Sequence, residues 1–377
     1  MKILVAPDSF KESLSAIQAV QAISEGILAV IPTAQLDGIP MADGGEGTIE
    51  CLAYSVPSCQ VITAPTVNAM GHAIEASWAL LEQQGTAFIE MASAAGLQQI
   101  PPEQRDIFQA SSYGVGLLIR HALDYPIERL VLTLGGSATN DAGLGMLHAL
   151  GVRFLDVHGQ AIPAPIPAYM QHIHRVDIRG LDPRLQNLEI IIAADVNNPL
   201  YGPNGAAYIF APQKGASPEQ VQQLDQALQH FANIVRPLVK QNYAQQPGAG
   251  AAGGLGFAAL SFLQARFVSG VTLLAEYTQL EQYIAQADLI ITGEGSLDAQ
   301  TLQGKTLAGI GQLCLRHNKP LIAFAGRLQE GYQALYEQGL SAAFSINPGG
   351  IGQAQAMQNS YDLLRQACQD VMRVYQL

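Results

Sequence analysis

The sequence predicts an α/β protein in two domains, one assembled from both chain ends and one running through the middle. Three observations carry this expectation. The chain has 377 residues, more than a single hydrophobic core usually organises. Near both termini, short unbroken apolar runs are followed by polar loops and then by apolar residues at helical spacing, the pattern of buried parallel strands with crossover helices. From about residue 60 that alternation gives way to consecutive short strands. The expected division is 1–60 plus 286–377 for the first domain and 61–285 for an inserted α/β domain with a mixed sheet.

Composition narrows the class of protein. Hydrophobic residues make up 49% and charged residues 13%, which supplies packed layers and leaves too little charge for disorder. A formal net charge of −12 and the absence of any basic run speak against nucleic acid and anionic membranes as partners. No apolar run approaches a membrane span, and the run after Lys2 is too short for a signal-peptide core, so a cytoplasmic protein is expected. Cys51, Cys59, Cys314 and Cys368 lack zinc-site spacing and read as free thiols of a reducing compartment. His172 and His174, with Asp177 nearby, form an HxH pair in a polar segment and read as surface residues.

The first element is the strand Ile3–Ala6, stopped by Pro7. Asp8, Ser9 and Lys11 follow in a polar loop, and Ser13 or Ser15 caps a helix whose Ile17, Val20, Ile23, Ile27 and Leu28 share a face. In an open parallel sheet such a loop lies at the carboxyl end of its strand, where ligands bind. A second strand, Leu36–Pro40, leads into MADGGEGTIE. There Asp43, Gly44, Gly45 and Glu46 form a tight acidic loop before a helix from Thr48, suited to a ligand hydroxyl or hydrated Mg²⁺.

In the middle segment Val61–Thr66, Ala73–Leu81 and Thr86–Glu90 read as strands and Tyr113–Leu123 as a helix. The buried strand Arg129–Leu134 opens onto GGSATNDAGLGM. Gly135, Gly136, Ser137, Thr139, Asn140 and Asp141 then precede a helix, an arrangement that presents backbone donors and small hydroxyls to an anion. Another strand, Glu189–Ala194, ends at Asp195, placed to act as a general base or Mg²⁺ anchor. Lys214 lies in a later loop, and Ser217 caps a long amphipathic helix. PGAGAAGGLG contains a formal GxGxxG, but the preceding KQNYAQQ is no buried strand, so a dinucleotide fingerprint is discounted and a glycine-rich helix entry that approaches another backbone or a ligand is expected.

Alternation returns with the strand Ala287–Thr292, followed by a loop GEGSLDAQTLQGKT that carries Glu294, Asp298 and Lys305. Strands Leu321–Ala325 and Ala342–Ile346 and a helix from about 354 to 375 complete the chain. Five strands from the two ends predict a doubly wound sheet in the order 2-1-3-4-5, with the Asp8 loop facing Glu294 and Asp298 across a crevice. AQTLQGKT matches a loose P-loop pattern but does not spring directly from its strand, so a P-loop fold is not expected. In an acidic protein, lysines kept at Lys11, Lys214 and Lys305, with Arg105 and Arg327, mark loops for anionic ligands.

Taken together, APDSFKESLSA, PMADGGEGT, GGSATNDAGLGM, DVNNPLYGPNGA, PGAGAAGGLG and ITGEGSLDAQTLQGK resemble the type 1 glycerate kinase family, in order and over nearly the whole chain. The resemblance implies a flavodoxin-like domain beside a second α/β domain, and ATP-dependent phosphorylation of D-glycerate, with bacterial members generally forming 2-phosphoglycerate. Physical inference then distributes the roles. Asp195 and Asp8 with Lys11 are the catalytic candidates. Ser9, Asp43, Gly44, Gly45, Glu46, Glu294, Asp298 and Lys305 are candidates for substrate, and Asp195 and Asp298 for Mg²⁺. Gly135 to Asp141 with Lys214 are candidates for ATP. A kinase of another small hydroxy acid and a noncatalytic anion-binding protein are the alternatives, and the oligomeric state stays open.

Overall fold

The structure, a computed structural model, describes residues 1–298, 301 and 306–376. The chain divides into two compact units. Unit 1 comprises Met1–Asp43, Glu50–Pro57 and Ser269–Leu377; unit 2 comprises Gly44–Ile49 and Ser58–Val268. In chain order the strands are β1 (Lys2–Val5), β2 (Gln35–Gly38), β3 (Cys59–Val67), β4 (Ala73–Leu81), β5 (Thr86–Glu90), β6 (Arg129–Thr133) and β7 (Arg153–Leu155). They continue with β8 (Arg175–Asp177), β9 (Glu189–Ala193), β10 (Arg266–Val268), β11 (Leu289–Leu297), β12 (Leu321–Leu328) and β13 (Ala342–Ser345).

Unit 1 is a five-stranded sheet in the order β13-β12-β11-β1-β2, with every pairing parallel. Ile3, Val5, Leu289, Ile291, Ile322 and Phe324 pack in one buried cluster with Val20, Ile23 and Ile27 of the helix Ala16–Leu28. Leu364, Cys368 and Met372 of the helix Ser360–Tyr375 join that cluster. These strands are buried on both faces, which is why they read as unbroken apolar runs. Ser15 caps the first helix in a reciprocal capping box with Gln18. At the carboxyl ends, the Asp8 amide donates to Gly293 O at 2.8 Å, and the buried Thr292 hydroxyl donates to Ala6 O at 2.7 Å. The exit of β1 is therefore fixed against β11.

Two expectations need correction in this unit. The segment Ser269–Ala285, expected with the middle of the chain, groups with unit 1, where the helices Gly270–Tyr277 and Leu280–Gln286 pack on the helix Thr306–His317. GEGSL was read as loop, yet β11 continues through Leu297, pairing Glu294 with Ala325 and Ser296 with Arg327. Glycine and polar residues disguise the strand because it leaves the apolar interior while its ladder continues.

Unit 2 holds a six-stranded sheet in the order β10-β9-β6-β5-β4-β3. β5, β6, β9 and β10 run parallel, while β3 and β4 are antiparallel additions. The short antiparallel ribbon β7-β8 stands apart from this sheet. Its core is built around Trp78, Ile89, Leu132, Phe231 and Phe257. The long helix Pro218–Val235 carries the expected Ser217 cap and buries Leu224, Leu228 and Phe231. In register, Glu90, Thr133 and Ala193 form one row at the carboxyl edge of the parallel strands. Among the described residues no helix is long and apolar enough to cross a membrane.

Candidate active site

Unit 1 presents a cavity of about 320 Å³ at the carboxyl end of its parallel sheet. Asp8, Ser9, Lys11, Asp43 and Glu294 all line it, with Ser296, Arg327 and Asn347. It opens where strand order reverses between β1 and β11, the position at which doubly wound sheets bind ligands. Asp8 accepts three hydrogen bonds among the described residues: the Ser9 amide reaches Oδ1 at 2.6 Å, the Ser9 hydroxyl the same oxygen at 3.3 Å, and the Thr306 hydroxyl reaches Oδ2 at 2.5 Å. Burial, followed by the Asp43 charge, raises the Asp8 carboxyl to about 6; the hydrogen bonds from Thr306 and Ser9 and the Lys11 charge act the other way. Lys11 Nζ lies 3.8 Å from Asp43 Oδ2 on the exposed rim. Such a pair is weak as a stabilising contact and leaves the ammonium available to an anionic ligand.

Asp298 closes a local turn, its Oδ1 accepting from the Thr301 amide at 3.1 Å. Lys305 lies outside the described residues. Among the described residues no three His, Cys, Asp or Glu side chains converge as a metal cage. Asp8, Asp43 and Glu294 nevertheless offer the hard oxygen donors that suit Mg²⁺, which commonly takes one or two carboxylates and completes its shell with water and substrate phosphates.

In unit 2, two glycine-rich segments meet backbone to backbone. An added Cβ at Gly135 would stand 2.4 Å from Gly45 Cα, so no side chain fits there. The Leu97 amide donates to Gly136 O and the Ala138 amide to Ala95 O, each at 2.8 Å, which pins the Gly135–Asn140 loop from the far side. PGAGAAGGLG contributes a third wall: Ala252, Gly253 and Gly254 are all left-handed, and a Cβ at Gly253 would lie 2.1 Å from Thr139 O. Of the two expectations for this motif, close approach to another backbone is the one seen, and no strand precedes it.

Lys214 is brought to the same loop. It is buried, and its Nζ donates to Ser137 Oγ at 2.9 Å and to Thr139 O at 2.7 Å. The fully buried Asp141 carboxylate accepts from Ser112 N and Oγ, Gly143 N and Gly145 N at 2.7 to 3.1 Å, while Ser112 Oγ accepts from Met146 N at 2.9 Å. The donors at the start of the helix Leu144–Ala149 are thereby satisfied from within the protein, and the Asp141 carboxylate is engaged with the scaffold. Burial pushes its carboxyl above the usual range against those four hydrogen bonds. Among the described residues, Thr139 Oγ1 and both polar atoms of the Asn140 amide are buried without a hydrogen-bond partner. Buried polar groups in that condition mark a place that water or a ligand completes. Asp195 follows β9, half-buried at the edge of the sheet.

Comparison with known proteins yields a family model, the glycerate kinase family, matching residues 3–376. The chain belongs to the glycerate kinase family. It is 42% identical to a glycerate kinase of Halalkalibacterium halodurans, over 98% of this chain and 97% of that protein. A glycerate 2-kinase of Escherichia coli is 39% identical, over 98% and 97% respectively. A solved structure described as a glycerate kinase 2 from Salmonella typhimurium LT2 superposes with a TM-score of 0.85 at 40% identity, covering 100% of this chain and 98% of that one.

Within this glycerate kinase fold, one buried carboxylate escaped the sequence reading. Glu90 ends β5, is 7% exposed, and its Oε1 accepts from Ile49 N at 2.7 Å, holding the end of the Gly44–Ile49 segment. The sequence carries a signal for it: EIIIAAD and AFIEMA are both apolar strands ending near an acid, and an acid at a buried strand's end meets either a ligand or a neighbouring backbone donor. The HxH pair lies on the surface as expected, with Asp177 engaged by Arg179.

Two predictions follow from this geometry. An Asp whose folded pKa is raised to about 6 carries a cost that grows as pH rises through the unfolded value of ~3.9 and is complete above the folded one; it vanishes only well below ~3.9, where the carboxyl is protonated in both states. Asp8→Asn is therefore expected to raise the thermal unfolding midpoint at pH 7.5, with the gain shrinking below pH 6 and absent by about pH 3; equal gains at pH 7.5 and pH 3 contradict the assignment. Glu90→Leu, which leaves Ile49 N without its acceptor, is expected to cost roughly 1.5–3 kcal/mol in urea unfolding. Glu90→Gln keeps an acceptor oxygen and is expected to cost less than half as much.

Proposed function

We propose that this protein transfers the γ-phosphoryl group of ATP to D-glycerate, forming 2-phospho-D-glycerate and ADP. The observation that carries this reading is the match to the glycerate kinase family, which extends from residue 3 to residue 376 and so includes all the glycine-rich and acidic motifs. One relative is named for the 2-kinase reaction, which supports the regiochemistry. Unit 1 is read as a flavodoxin-like domain, consistent with its parallel order, and the middle of the chain as the inserted domain. The acidic composition and free cysteines fit a reducing, cytoplasmic setting.

Phosphoryl transfer asks a protein chiefly for positioning and charge neutralisation. In this reading Ser9, Lys11 and Arg327 bind and orient anionic groups in the unit 1 cavity, with Lys305 as a further candidate. Asp8, Asp43 and Glu294 supply oxygen donors there, and Asp298, in the turn after β11, is a further candidate for Mg²⁺. Mg²⁺, when bound, neutralises developing charge on the phosphate oxygens. Glu46 and the backbone of Gly44 and Gly45 are assigned to substrate hydroxyls, and the loop from Gly135 to Asn140 to the nucleotide phosphates. Asp195, held at a strand exit, orients the attacking hydroxyl and takes its proton.

The test is ADP release from ATP and Mg²⁺ with D-glycerate, lactate, tartronate or no acceptor, followed by ³¹P NMR of the product. Turnover dependent on D-glycerate with a 2-phosphate signal is expected. Preference for another acid would replace the substrate assignment, and a 3-phosphate product would replace the regiochemistry. Asp195→Asn is expected to lower kcat at least about 100-fold with the unfolding midpoint retained; near-normal kcat removes Asp195 from the proton-transfer role.

A further inference from the structure

We propose that Lys214 is a positioning residue for the nucleotide phosphates, its buried ammonium fixing Ser137 as a one-way hydrogen-bond donor to a phosphate oxygen. This rests on the reading that the Gly135–Asn140 loop holds the nucleotide. Lys214 is 2% exposed, so a direct contact with ligand is a poor use of it. Its Nζ instead reaches Ser137 Oγ at 2.9 Å and Thr139 O at 2.7 Å. An ammonium has donors and no lone pair, so Ser137 Oγ must be the acceptor in that bond. The proton of the serine hydroxyl is then left for a different acceptor, and a phosphate oxygen is an acceptor of the right kind. The backbone on either side is fixed, by the bridge between Gly96 and Ser137 and by Ala138 N donating to Ala95 O. The hydroxyl has little freedom to turn away.

The arrangement depends on the charge. If Lys214 loses its proton, the amine gains a lone pair and Ser137 can donate back to it, which withdraws the proton from the phosphate. Burial lowers Lys214 to about 7, with the Asp141 charge acting in the opposite direction. The other charged groups bordering the same recess are Arg105 and Asp106. Both are engaged with the backbone: Arg105 donates to Ile100 O, and Asp106 accepts from Phe108 N. Loss of the ammonium through neutral and mildly alkaline pH should therefore weaken nucleotide capture, whereas an arginine at this position stays charged.

The experiment measures steady-state kinetics with MgATP and D-glycerate from pH 6 to 9 for the full chain and for Ser137→Ala, Lys214→Met and Lys214→Arg, with thermal unfolding of each as a fold check. Ser137→Ala and Lys214→Met are expected to raise KM for ATP at least about 10-fold while KM for glycerate stays within about 2-fold. The wild-type kcat/KM for ATP should fall through an alkaline limb that flattens in Lys214→Arg and in Ser137→Ala; the nucleotide's own titration is common to all. If Ser137→Ala raises KM for ATP but the wild-type and Lys214→Arg profiles run parallel, the role of Lys214 is overturned and the loop assignment survives. If neither Ser137→Ala nor Lys214→Met changes KM for ATP, the loop assignment itself is overturned. Should Lys214→Met fail to fold, the pH profiles of the other two variants still decide.

Discussion

The absence of side chains where Gly45 meets Gly135 is the constraint on which the rest of unit 2's site depends. A Cβ at Gly135 would stand 2.4 Å from Gly45 Cα, a distance no packing adjustment of backbone against backbone absorbs cheaply. Contact this close converts two loops that would otherwise be mobile into one rigid surface. A second contact of the same kind, Gly253 against Thr139, closes the surface from another side. The polar groups on the loop are consequently held in place without flexible segments that would have to be ordered on binding, which is what a phosphoryl-transfer site requires.

Buried charge complements that steric constraint. Asp141 spends its carboxylate on four donors around the start of a short helix, so it organises the loop. Lys214 fastens the loop from the opposite sign, and Glu90 fixes the end of the Gly44–Ile49 segment. Each of these groups is costly to bury and is compensated by short hydrogen bonds. Unit 1 solves the equivalent problem differently: its cavity is lined by acids that remain partly solvated, with Asp8 kept near the midpoint of its titration at mildly acidic pH by burial and by Asp43.

Much of this was legible in the amino-acid sequence because parallel strands buried on both faces leave an unmistakable trace. ILVA, RLVLTL, EIIIAA and LIAFA are strands in the structure within a residue or two at the start, and the Ser15 and Ser217 caps lie where they were read. The loops after those strands held many of the candidate residues, among them Asp8, Ser9, Ser137 and Asp195, since side chains at strand exits are the ones a sheet presents to ligand. Legibility failed where a strand runs past its apolar section, as in Glu294 to Leu297, and where strands are too short to show a period, as in Arg153–Leu155 and Arg266–Val268.

What the sequence determined by itself was the set of long buried strands and capped helices, their parallel or mixed character, the family and the residue types offered at each loop, all consequences of local pattern and of motifs in fixed order. The tertiary structure alone decided what those residues do to one another. Asp141 and Ser137 are four positions apart in the same polar run, yet one accepts from Ser112 and the other from Lys214. That division depends on contacts between segments 29 and 77 residues apart, and distance along the chain carries no record of which donor a folded carboxylate or hydroxyl will meet.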